Sequence, residues 1–82
     1  MALNYTETAC LRYLSIGLME ATGQMIGETI ARAPGRTPRG YMIMGNRTAR
    51  QLRSKGLVKY LPDLDAWRIT PRGREVLQRM QP

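Results

Sequence analysis

Histidine is absent from this 82-residue sequence, and cysteine occurs only once, as Cys10. Without histidine and with a single thiol, the chain cannot assemble the usual zinc sites, a Ser-His or Cys-His nucleophile pair, or an internal disulfide. The glycines form no phosphate-cradling motif, and Asp63 with Asp65 supplies too few ligands for a cation site. We therefore expect a protein that is not an enzyme and has no catalytic residues, no bound metal and no cofactor.

Long apolar runs are also missing. None approaches the roughly 18 residues that a membrane span requires, and no signal peptide is visible. Hydrophobic residues make up 43% of the chain and charged residues 23%, which is typical of a soluble globular domain rather than a disordered one. We expect residues 1–82 to form one domain with a modest core, located in the cytoplasm.

Acidic residues are scarce and unevenly placed. The chain has 13 basic and 6 acidic residues and a net charge of +7. Residues 1–31 contain one base and three acids, whereas residues 32–82 contain twelve bases and three acids. This asymmetry predicts one basic face on an otherwise neutral body, suited to a polyanion. A merely solvated basic surface is the alternative, because eleven of the thirteen bases are Arg, as a GC-rich genome would produce.

The N-terminal part has the pattern of two helices. Asn4, with Glu7 three residues later, resembles a capping box and predicts a helix start, while Gly17 predicts the end of that helix. The buried stripe expected on this helix comprises Cys10, Leu11, Leu14 and Leu18. A second helix is predicted over roughly Ala21–Arg32, with Thr22 as its cap.

Residues 33–40 contain two prolines and two glycines and predict a loop. A third helix is expected over roughly Met42–Lys55, stopped by Gly56. At about 100° per residue, one side of this helix should face the core: Tyr41, Gly45, Thr48, Ala49 and Leu52. The opposite side carries Arg47, Arg50 and Ser54, flanked by Asn46 and Arg53. Ile43 should also point away from the core, where it would suit a dimer or partner contact.

Two short β-rich runs follow at residues 57–61 and 66–70, and the turn Pro62–Asp65 between them predicts a hairpin. One face of the hairpin should be apolar and the other basic, because Val58, Tyr60, Trp67 and Ile69 alternate with Lys59 and Arg68. Thr70 followed by Pro71 predicts the start of a final helix. Gly73, in the first turn of that helix, predicts a close backbone approach to the hairpin.

Two segments carry a resemblance to a known family. Gln51–Val58 has leucine, three polar residues and Gly-Leu-Val, and resembles the junction where a recognition helix turns into a wing strand. Trp67–Arg74 resembles a second wing strand followed by the Thr-x-x-Gly-Arg opening of the next helix. The chain thus resembles winged helix-turn-helix domains similar to the multiple-antibiotic-resistance-type regulators of bacteria and phages. The resemblance implies an α+β fold with three helices, a two-stranded β-hairpin wing and a short C-terminal helix.

The same resemblance implies a small transcriptional regulator that binds double-stranded DNA as a homodimer, with its third helix in the major groove. The residues expected to reach base edges are Asn46, Arg47, Arg50 and Gln51. Those expected near phosphates are Arg53, Lys55, and Arg36 or Arg39 in the preceding loop, with Lys59 and Arg68 flanking the backbone. Five or six phosphate contacts predict a log–log salt dependence of the binding constant of about −5.

Two departures from the family pattern leave an alternative open. Nine residues, 33–41, join the second and third helices, so either the turn has an insertion or the third helix starts further upstream. The hairpin tip carries Asp63 and Asp65, which phosphates would repel unless these acids only build the turn. The alternative function is an interaction module that grips an acidic protein, such as a phage-encoded inhibitor of a host nucleic-acid-handling complex.

Overall fold

In the part of the chain that the structure describes, four helices and a three-stranded antiparallel sheet make up an α+β fold. The computed structural model describes residues 2–16, 20–31, 35 and 37–80. Within these ranges no helix is long and apolar enough to cross a membrane. In chain order the elements are α1 (Tyr5–Ser15), β1 (Ala21–Thr22), α2 (Gly23–Ile30), α3 (Pro38–Ser54), β2 (Val58–Leu61), β3 (Ala66–Ile69) and α4 (Pro71–Met80).

The start of α1 confirms the capping box. The side chain of Asn4 accepts a hydrogen bond from the backbone N–H of Glu7 at 2.8 Å, and Glu7 Oε1 accepts from the backbone N–H of Asn4 at 3.0 Å. The predicted stripe is buried at Cys10, Leu11 and Leu14, whereas Leu18 and Gly17 lie outside the described residues. Burial raises the pKa of the Cys10 thiol to about 12, with the charge of Glu7 adding to it, so this thiol is unreactive.

The sheet has one strand more than the two that the sequence predicts. The short strand β1 pairs antiparallel with β3, giving the order β1-β3-β2. The predicted cap of the second helix is confirmed, because the hydroxyl of Thr22 accepts from the backbone N–H of Met25 at 3.2 Å, and α2 therefore begins at Gly23, two residues after the expected start at Ala21. A cap residue has an extended backbone, and here that extended stretch also pairs with a strand.

α3 begins four residues earlier than predicted, so the expectation that residues 38–40 belong to a loop is wrong. The hydroxyl of Thr37 accepts a hydrogen bond from the backbone N–H of Gly40 at 3.0 Å, and Pro38 occupies the first turn. Proline is well suited there because its nitrogen would have no helical partner. The long connection after α2 is therefore explained by an upstream helix start.

α2 and α3 are in direct backbone contact at glycine positions. A Cβ on Gly45 would overlap the carbonyl oxygen of Gly23 and lie 2.8 Å from the backbone nitrogen of Gly27. A Cβ on Gly27 would in turn overlap the carbonyl oxygen of Tyr41. The two helices can approach this closely only because both positions lack side chains. The core beside this contact contains Leu11, Leu14, Ile26, Ile30, Leu52 and Leu57, none more than 2% exposed.

The hairpin forms as predicted. β2 and β3 pair antiparallel, with Tyr60 opposite Trp67 and Lys59 opposite Arg68. Gly56 ends α3 with a φ of +77°, a value that glycine adopts at little cost. The close approach predicted at Gly73 is also confirmed, because a Cβ there would lie 3.1 Å from the carbonyl carbon of Leu57.

Candidate nucleic-acid interface

The solvent side of α3 carries three exposed arginines, Arg39, Arg47 and Arg50, which we call the arginine face. At about 100° per residue they fall within an arc of about 80°. None of the three has an acidic partner among the residues that the structure describes. Their guanidinium groups are therefore free to donate hydrogen bonds to an external anion.

Ile43 lies at the centre of this arc and has 49% of its surface exposed, as predicted. Gln51 is exposed at one margin of the arc. An open groove of about 440 Å³ runs beside this margin, between α3 and the start of α1. Its walls include Asn4, Thr6, Ile43, Arg47 and Gln51. The contribution of α1 to this groove is a long-range contact that no local sequence pattern signals.

Asn46, which was expected to reach base edges, has its amide oxygen hydrogen-bonded within the protein. It is half-buried, and its Oδ1 accepts a hydrogen bond from the indole N–H of Trp67 at 2.9 Å. On its other side it packs against Gly23, where a Cβ would lie 2.5 Å from the Asn46 amide carbon. The amide thus ties α3 to both β3 and the start of α2.

Arg53 lies on the side of α3 that faces the hairpin. Its guanidinium carbon is 5.8 Å from the centre of the Trp67 ring, within the range of a cation–π contact. Trp67 also packs against Tyr60, with ring centroids 5.0 Å apart. Arg53 is exposed beyond this contact, so its charge stays available at the edge of the arginine face.

Lys55 forms an ion pair with Glu7 within the protein. Its Nζ donates to Glu7 Oε2 at 2.7 Å, and the Glu7 side chain is only 5% exposed. Burial opposes ionisation of Glu7, but the hydrogen bonds from Lys55 and from the Asn4 backbone, together with the Lys55 charge, hold its pKa below the ordinary value. The pair joins the start of α1 to the end of α3.

The two basic residues of the hairpin strands do not share a face with Trp67. Because side chains alternate along strands, Lys59 and Arg68 project from the sheet side opposite Tyr60 and Trp67. Trp67 is directed at α3, so Lys59 and Arg68 point away from that helix. Arg68 also lies 3.8 Å from a carboxylate oxygen of Glu20. Of the remaining predicted contacts, Arg36 lies outside the described residues.

The two acids of the hairpin tip, Asp63 and Asp65, differ in their hydrogen bonding. Asp65 has a φ of +46°, and its carboxylate accepts a hydrogen bond from the Tyr60 hydroxyl at 2.6 Å, which raises the pKa of Tyr60. Asp65 therefore helps to build the turn, as the sequence led us to expect. Asp63 is exposed. Among the described residues no cluster of acids, cysteines or histidines is large enough to hold a metal ion.

The arrangement as a whole offers exposed hydrogen-bond donors with fixed spacing along one rigid helix, and a helix of this length extends about 25 Å. Such a row can engage successive anionic groups of an extended ligand. Comparison of the chain with protein-family models, with curated protein sequences and with solved structures gave no match.

Proposed function

We propose that this protein is a winged-helix transcriptional regulator that binds double-stranded DNA as a homodimer and inserts α3 into the major groove. The observation that carries the proposal is the arginine face, where three cations lie on one exposed arc without an acidic partner among the described residues. The element order of α1, β1, α2, α3, hairpin and α4 supports it, because it contains the three helices, the β-hairpin and the short last helix that the winged-helix resemblance implies.

Within this proposal the polar and basic residues on or next to α3 divide into three groups. Arg47, Arg50 and Gln51 contact base edges, since Arg pairs with guanine and Gln with adenine. Arg39, near the beginning of α3, and Arg53, near its end, contact phosphates. Asn46 and Lys55 are positioning residues, because the first is hydrogen-bonded to Trp67 and the second is paired with Glu7.

A second function is favoured by the composition of the hairpin tip. Asp63 is exposed there without a neighbouring base in the turn Pro62–Asp65, so the tip is repelled by phosphates rather than attracted. An acidic protein bound on the arginine face would avoid this repulsion. In that case the function is a protein–protein interaction module.

The direct test is the binding of a fluorescently labelled duplex, first selected by the protein from a random-sequence pool, measured by anisotropy in low salt. We expect binding by the unmodified protein, and a loss of about 30-fold in the double variant Arg47→Ala/Arg50→Ala. The matched control is Arg12→Ala/Arg79→Ala, which removes the same charge from α1 and α4 and should change the affinity less than threefold.

Equal affinity of the two double variants would contradict the proposal, because it would show that net charge alone attracts the duplex. An absence of duplex binding, together with nuclease-resistant capture of one acidic host protein that the Arg47→Ala/Arg50→Ala variant loses, would establish the second function. Light scattering tests the homodimer, and a strict monomer would contradict that part of the proposal.

A further inference from the structure

Ile43 is an exposed aliphatic side chain in the middle of the arginine face, and binding of an anion by the arginines does not explain it. Its side chain is exposed, yet it is flanked on the same arc by Arg39 one turn before it and Arg47 one turn after it. Arg50 lies two turns along from Ile43 on the same line. Any ligand that engages these arginines together must therefore also cover Ile43.

An anionic ligand that covers Ile43 must offer it an apolar surface. Burial of a branched aliphatic side chain against phosphate or carboxylate would strip water from the anion without compensation. The major groove of DNA has one apolar group on its base edges, the 5-methyl group of thymine. The groove also places base edges between the two phosphate rows, as Ile43 lies between arginines.

We propose that Ile43 is a specificity-determining residue that contacts the 5-methyl group of a thymine in the major groove. This inference rests on the proposed function, since it requires that α3 enters the groove. Ile43 lies about 6 Å along the helix axis from Arg47, given a rise of 1.5 Å per residue. The thymine is thus within about two base pairs of the base that Arg47 contacts, since DNA rises 3.4 Å per base pair.

The test removes the methyl group from the DNA and leaves everything else in place. Duplexes that bind are first selected from a random pool, and each thymine of the selected sequence is then replaced in turn by deoxyuridine. Deoxyuridine keeps the base pair and all hydrogen-bonding groups. We expect one thymine per half-site at which the replacement weakens binding about fourfold, the effect of one buried methyl group.

The Ile43→Ala variant supplies the second half of the test. It should bind the thymine and deoxyuridine duplexes equally, because the side chain that senses the methyl group is gone. The matched control is Ile16→Ala, which truncates another exposed isoleucine, on the C-cap of α1. This control should keep the fourfold preference for thymine.

The outcomes separate the inference from the proposed function. If the folded protein selects no duplex, both fail. If duplexes are selected but no deoxyuridine replacement matters, or if Ile43→Ala keeps the preference, the thymine contact is refuted while DNA binding stands. If Ile43→Ala dissociates a dimer in the absence of DNA, Ile43 belongs to a protein contact and the inference is overturned.

Discussion

The two sides of α3 differ in whether their residues already make contacts within the protein. On the inner side, Gly45 meets the backbone of α2, and Asn46 accepts a hydrogen bond from Trp67. On the outer side, Arg39, Arg47 and Arg50 have no acidic partner among the described residues. The helix is therefore held rigidly by one side and left open to a ligand on the other.

This difference teaches that residue type alone does not identify the interface. Lys55 and Arg47 are both basic and both near the middle of the sequence, yet Lys55 is paired with Glu7 and Arg47 is free to bind. Substitutions on the inner side should lower the free energy of unfolding. Substitutions on the outer side should change ligand affinity and leave stability nearly unchanged.

The largest effect is expected from Gly45→Ala. The added methyl group overlaps backbone atoms of Gly23 and Gly27, which cannot move without separating α2 from α3. We expect a loss of about 3 kcal/mol or more in the free energy of unfolding, measured by urea denaturation followed by circular dichroism.

The matched comparison for this variant is Gly56→Ala, where the nearest atom to the new methyl group is 3.9 Å away and only the positive φ is unfavourable. That variant should lose about 1 kcal/mol. Equal losses at the two positions would contradict the close contact between α2 and α3.

A smaller effect is expected from Glu7→Gln, which breaks the ion pair with Lys55. The variant should lose about 2 kcal/mol at neutral pH, because an ammonium group is left without its buried partner. The native pKa of Glu7 is lowered, so the unfolded chain takes up a proton first as the pH falls. The contribution of the carboxylate is therefore complete well above pH 4.5 and is lost as the pH falls below 4.5 through the lowered native pKa.

Urea denaturation at a series of pH values measures this contribution. Glu7→Gln should show a flatter decline in stability over that acid range than the unmodified protein. Glu75→Gln is the control, since Glu75 is exposed on α4 and its ion pair with Arg79 is an exposed one at helical spacing. An unchanged acid profile in Glu7→Gln would show that the ion pair does not stabilise the fold.

A smaller loss of stability than in Glu7→Gln is expected from Asn46→Ala. The variant leaves the indole N–H of Trp67 without an acceptor and should lose about 1 kcal/mol. Gln51→Ala, on the outer side of the same helix, should lose less than about 0.5 kcal/mol. Thermal unfolding of the two variants measures the difference. A stable Asn46→Ala variant with weakened duplex binding would return Asn46 to the group of base-contacting residues.

Local patterns predicted those parts of the fold that depend on neighbouring residues. The hairpin, the stop at Gly56 and the start of α4 at Pro71 follow from turn and cap residues close in sequence. The start of α3 was also within reach, because Thr37 and Pro38 repeat the Thr-Pro signal that marks α4 at Thr70 and Pro71. This start was not predicted, because the two prolines and two glycines of residues 33–40 indicated a loop.

Other features depend on distant contacts and have no local signal. The strand β1 is two residues long, too short to show alternation, and exists only because β3 lies beside it. Asn46 and Lys55 looked like members of the basic face, yet their partners Trp67 and Glu7 lie 21 and 48 residues away in sequence. Exposure of Arg47 and Arg50 could be predicted because helical periodicity alone determines it, whereas Arg39 joins the arginine face only because α3 starts upstream of the predicted position.

The salt dependence of duplex binding tests most directly whether the outer side of α3 meets the DNA. Phosphate contacts from Arg39 and Arg53 of both protomers predict a log–log slope of about −4 for the dimer. The slope should fall to near zero in Arg39→Ala/Arg53→Ala and stay near −4 in Lys59→Ala/Arg68→Ala, which loses the same charge from the far side of the sheet. A reduced slope in Lys59→Ala/Arg68→Ala with an unchanged slope in Arg39→Ala/Arg53→Ala would contradict the placement of α3 against the DNA.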